Sequence, residues 1–74
     1  MRLCRGIPGN SYRVESMNLP LSMAKRLEVL GMTKGTSLDV INKKGRGILI
    51  IRVRGTRLAL GRNITRNIEV CDYE

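Results

Sequence analysis

Seventy-four residues, with 14 Lys or Arg, 6 Asp or Glu and no His, hold one thin core and leave no space for a deep catalytic cleft, since a domain this small buries only roughly 60% of the surface its unfolded chain exposes. The net charge of +8 points to an anionic partner: nucleic acid, phospholipid head groups or an acidic protein face. The presence of only two aromatic residues, Tyr12 and Tyr73, weakens the case for a module that stacks bases or clamps proline-rich peptides on rings, without excluding either.

In chain order, Met1 to Gly9 lacks the apolar stretch of a signal peptide, and the longest aliphatic run, Ile48 to Ile51, is far short of a membrane span. A soluble, cytoplasmic protein is expected. Pro8-Gly9 marks a turn, and Tyr12 to Met17 alternates as a first strand with Tyr12 and Val14 on one face before Asn18-Leu19-Pro20 ends it. A short helix is predicted over Ser22–Leu30, with Ser22 as its N-cap and Met23, Ala24, Leu27 and Leu30 on its apolar arc. Gly31 then supplies a left-handed cap and Met32 the apolar residue that a Schellman motif sets against Leu27. Thr33-Lys34-Gly35-Thr36 fits a type II turn, with Gly35 at the positive-φ position. Two turns of helix do not persist in water unpacked, so this element is expected to plug one side of a β structure, with Leu27, Leu30 and Met32 beneath the sheet.

Beyond the plug, Ser37 to Asn42 alternates with Leu38 and Val40 inward, and Lys43-Lys44-Gly45-Arg46-Gly47 reads as a polar hairpin loop. Ile48 to Arg54 is rich in β-branched residues, with Leu49, Ile51 and Val53 on one face and Arg52 and Arg54 on the other. Gly55-Thr56 turns into Arg57 to Leu60, whose Leu58 and Leu60 face the preceding strand. Gly61–Arg66 reads as a short helical turn, and Ile68 to Cys71 as a last strand. Five short strands and one helix in a single domain, residues 1–74, call for a closed or nearly closed sheet, since an open one would leave bare edges and a wet apolar face. A mainly β fold follows: a five-stranded barrel of the Src-homology-3 (SH3)-like kind, with an oligonucleotide-binding barrel, which needs longer strands, as the alternative.

Little here points to catalysis or to a resident cofactor. Nothing pairs a nucleophile with a base: Ser11, Ser16, Ser22 and Ser37 fall in turn, strand or cap contexts, and the carboxylates are scattered. Cys4 and Cys71 read as reduced, half-buried thiols. Met17, Met23 and Met32 read as core fillers. A metal-sensing site would need Cys4, Cys71 and Asp72 or Glu74 to converge.

Arg26-Leu27, Leu30-Gly31-Met32 and Gly35-Thr36, followed by Val53 to Leu60 and a closing Ile68-Glu69-Val70, together resemble the FeoA family of bacterial ferrous iron transport proteins, from Tyr12 onward. The resemblance implies an SH3-like barrel and a small cytoplasmic accessory that docks on FeoB, a membrane transporter with a cytoplasmic GTP-binding domain. It carries over no metal ligands, because the matching positions are turn glycines and apolar residues. From Val40 to Ile68 there are eight Lys or Arg and no acid, and Lys43, Lys44, Arg46, Arg52, Arg54 and Arg57 are the candidate contacts for an acidic protein patch or an anionic inner leaflet. A weak, sequence-indifferent nucleic-acid interface on the same face and a transition-metal-sensing module are the alternative readings.

Overall fold

Period-two alternation builds five strands in the computed structural model, which describes residues 1–73. They are β1 (Ser11–Met17), β2 (Ser37–Lys44), β3 (Ile48–Val53), β4 (Thr56–Leu60) and β5 (Ile68–Asp72). All pair antiparallel in the order β4-β3-β2-β1-β5. Two helices join them, α1 (Leu21–Val29) between β1 and β2 and α2 (Arg62–Thr65) between β4 and β5. The inward residues of the strands, among them Val14, Val40, Ile51, Val53, Ile68 and Val70, form one core with Tyr12 and Leu27. Burial of such aliphatic side chains is the main force holding so small a domain.

The plug is present and its cap has the expected geometry. Met32 N–H donates to the Leu27 carbonyl (2.8 Å) and Gly31 N–H to that of Glu28 (2.9 Å), the paired bonds of a Schellman motif, with Gly31 at φ +98°. The type II turn follows: Thr36 N–H donates to the Thr33 carbonyl (3.0 Å) and Gly35 lies at φ +87°. A Cβ on Gly31 would lie 2.6 Å from Arg54 Cδ, so α1 ends against the β3–β4 turn.

Two details of the helix differ from expectation. It begins at Leu21, with Pro20 in the N-cap place at φ −53°, ψ 145° and no side-chain cap bond, so Ser22 is already helical. Proline's fixed φ suits that boundary, and its carbonyl accepts the first helical bond from Ala24 N–H (2.9 Å). Leu27 and Met32 are buried at 3% and 0% exposure, but Leu30 is 42% exposed. The cap reverses the chain immediately after Leu30, so Met32 takes the core position and Leu30 stays on the rim.

Three further differences lie in the β structure. β2 runs on through Lys43 and Lys44, and the loop shrinks to the 3₁₀ turn Gly45–Gly47. The β3–β4 turn is Arg54-Gly55, both at positive φ (+49° and +79°), rather than Gly55-Thr56. A two-residue hairpin favours this primed turn because its twist matches that of the strands. Arg54 thereby leaves the strand face it was expected to share with Arg52. Before β1, a second 3₁₀ turn, Leu3–Arg5, buries Leu3 completely, and Met1 backbone pairs with Val70 (N–H to Met1 carbonyl, 2.7 Å) beside an Arg2–Glu69 bridge.

Candidate functional site

The six candidate cations are all exposed, and they fall into two groups along β3 whose nearest members are about 10 Å apart, since Lys43 lies opposite Leu49, three residues from Arg52. Arg52, Arg54 and Arg57 lie toward the β3–β4 turn, whereas Lys43, Lys44 and Arg46 lie at the β2–β3 hairpin.

At the first end a cross-strand row runs over four strands on the outer face, with Ser11 opposite Asp39, Asp39 opposite Arg52 and Arg52 opposite Arg57. Ser11 Oγ donates to Asp39 Oδ1 (2.6 Å), and Arg52 Nη2 donates to Asp39 Oδ2 (3.3 Å). Arg52 is thus partly neutralised by its own sheet. Arg54, held in the turn, borders a shallow recess with Leu30, Gly31 and Thr56.

Chiefly through the Ser11 hydrogen bond, and with help from the Arg52 hydrogen bond and charge, the Asp39 carboxyl titrates below its ordinary value; partial burial opposes the shift. A carboxylate whose pKa is lowered on folding stabilises the native state above its unfolded value and loses that contribution as pH falls through the folded one. Asp39→Asn is therefore expected to lower the stability measured by urea unfolding at neutral pH by an amount typical of an exposed pair, under about 1 kcal/mol. The gap from wild type should close as the pH is taken below the folded pKa. A gap that persists unchanged in acid would remove the ion pair as its source.

The hairpin end is shaped by a bulge. Val40 is opposite Ile51 and Asn42 opposite Ile50, so Ile41 is an extra residue in β2. A bulge reverses the alternation that follows it. Asn42 therefore points outward with Ile50, and Lys43 comes to the core side opposite the buried Leu49. There Lys43 and Lys44 meet Cys4 and Arg62 around a recess of about 190 Å³. Arg62 was not among the candidate contacts: it is far from Lys44 in sequence, and its membership in the acid-free basic stretch was the available signal. Arg46, at φ +66° in the hairpin tip, does not line the recess.

Both thiols, Cys4 and Cys71, are half-buried and unpaired. Among the described residues no group of three or more Cys, Asp and Glu is placed to hold a metal ion; Glu74 lies outside them. Tyr12 is buried, its hydroxyl accepting from Ile7 N–H (2.9 Å), and the Arg13 guanidinium lies over the Tyr73 ring at 5.4 Å from its centre. One ring is thus inside the core, and the other already carries a cation on one face. No helix is long and apolar enough to cross a membrane.

The family model of the FeoA domain matches residues 1–71. No curated protein matches the chain. Among solved structures, the FeoA protein of Chlorobium tepidum is 25% identical at a TM-score of 0.92, the similarity covering 100% of this chain and 71% of that one. The FeoA of Stenotrophomonas maltophilia, solved with zinc and described as an SH3-domain protein and candidate activating factor of ferrous iron transport, is 30% identical at a TM-score of 0.79, covering 96% of this chain and 89% of that one. ScaR with bound zinc shares the fold at 16% identity and a TM-score of 0.84, with 99% of this chain matched to 37% of that one. The five-stranded sheet, the capped plug helix and a family match from the first residue to Cys71 lead to one assignment: the chain belongs to the FeoA family, with an SH3-like fold and a role in ferrous iron transport.

Proposed function

We propose that the protein is a cytoplasmic, non-enzymatic regulator that docks on the cytoplasmic GTP-binding domain of a FeoB-type ferrous iron transporter and modulates uptake. The observation that carries the reading is charge left without an internal partner. Among the described residues Arg52 is paired with Asp39, whereas Lys43, Lys44, Arg46, Arg54 and Arg57 have no carboxylate within ion-pair distance. Such charges steer encounter with an acidic face and raise the association rate more than they add affinity. An anionic inner leaflet beside the transporter would be attracted by the same charges. Along β3 the nearest members of the two groups are about 10 Å apart and the outermost about 20 Å, so a partner's acidic face must span that range to engage them all.

The reading is tested by measuring association of the full chain with the isolated cytoplasmic domain of the transporter, comparing wild type with Lys43→Glu/Lys44→Glu and with Arg54→Glu/Arg57→Glu. Slower association in at least one variant, with a difference from wild type that shrinks as salt rises, is expected. Equal rates for all three proteins at low salt would exclude both cationic ends from the contact.

A further inference from the structure

We propose that the recess between the β2–β3 hairpin and α2 is a seat for a phosphate-sized oxyanion, carried free or on a lipid head group. Three cations from two separate elements, Lys43 and Lys44 at the end of β2 and Arg62 at the start of α2, line it together with Gly47, Leu49 and Cys4, and no carboxylate does. Among the described residues none of the three cations has an ion-pair partner. Like charges gathered at one recess repel one another, and an anion placed among them relieves that repulsion. The buried Leu49 beneath makes the attraction stronger than it would be on an open surface.

Two backbone features prepare the seat. The bulge at Ile41 turns Lys43 onto the Leu49 side of the sheet. Gly47, at φ +77°, leaves space for Arg62 to lie across the hairpin: a Cβ there would be 3.0 Å from Arg62 Nε and 3.3 Å from Arg62 Cβ. A guanidinium braced in this way loses less side-chain freedom when it closes on an oxyanion, and its planar fork matches two phosphate oxygens. Size fixes the ligand class. At about 190 Å³ the recess is smaller than the roughly 300–1,000 Å³ that drug-sized ligands occupy. Its interior accommodates a phosphate group with its bound water, and whatever carries that phosphate must lie outside the recess.

The inference stands independently of docking on a transporter, because its test uses the protein alone. Inorganic phosphate is titrated into the full chain at constant ionic strength, maintained with chloride, while backbone amide spectra are recorded; in parallel, the protein is sedimented with phosphatidylcholine vesicles with and without phosphatidic acid. Saturable shifts confined to Lys43 to Leu49, Arg62 and Cys4 are expected, weakened roughly tenfold by Arg62→Gln and unchanged by Arg57→Gln at the far end of β3. Unaltered peak dispersion elsewhere verifies that Arg62→Gln still folds. Sedimentation that requires phosphatidic acid and is lost in Arg62→Gln assigns the group to a head group; saturation by inorganic phosphate without it assigns the group to a free phosphate. Failure to saturate in both arms, or equal weakening by the two substitutions, overturns the seat.

Discussion

Met32→Ala is expected to destabilise the fold by about 2–5 kcal/mol, the range for removing a fully buried large side chain and leaving part of the cavity, whereas Leu30→Ala, two residues earlier, is expected to change stability by less than about 0.5 kcal/mol. The contrast rests on the cap. The Gly31 turn carries Met32 to 0% exposure while Leu30 remains 42% exposed. Urea unfolding of the two variants, compared at equal slope, measures both numbers. For a chain of this length the total stability is of the order of 4–11 kcal/mol, so the Met32 variant should lose a large fraction of it. A larger loss for Leu30→Ala than for Met32→Ala would mean that the helix packs through its last turn and not through the residue beyond its cap.

The second large effect is expected at the other end of the molecule. Termini fray by default, yet Leu3 is fully buried. It is fixed by a 3₁₀ turn whose Gly6 N–H donates to the Leu3 carbonyl (2.8 Å) and by the pairing of Val70 N–H with the Met1 carbonyl. Gly6 permits this close fit: a Cβ at that position would lie 3.0 Å from both the Leu3 carbonyl oxygen and Val40 Cγ2. Leu3→Ala should therefore cost about 2–5 kcal/mol. The Gly6 and Val70 amides should exchange with solvent as slowly as those of the central strands. A cost below about 0.5 kcal/mol, with rapid exchange at both amides, would mean that the segment opens independently of the barrel.

Much of this architecture is legible in the residues, for reasons that differ by element. Ile48 to Val53 alternates β-branched and aliphatic residues so strongly that β3 and its inner face follow directly. Gly31 and Gly35 mark their turns because other residues resist positive φ. The N-terminal turn is not legible, since Leu3–Arg5 is too short to express any period. Helical periodicity places Leu30 on the apolar arc, but Leu30 is the C-cap residue, where the chain already leaves the helix, so the period no longer governs its direction. Alternation alone puts Arg54 on the strand face of Arg52, but the two-residue hairpin between Val53 and Thr56 takes it into the turn at positive φ, an uncommon place for arginine. The grouping of Lys43 and Lys44 with Arg62 depends on which strands adjoin at the barrel mouth, and no local pattern encodes that.

The supernumerary Ile41 has an implication for how related chains diverge. Removing that one residue would leave Val40 opposite Ile51, Asn42 opposite Ile50 and Lys43 opposite Leu49, restoring unbroken alternation without turning any side chain over. A one-residue change at a regular position of the strand would instead exchange the two faces beyond it. Relatives can thus gain or lose a residue at this one place and still display the same charges at the rim.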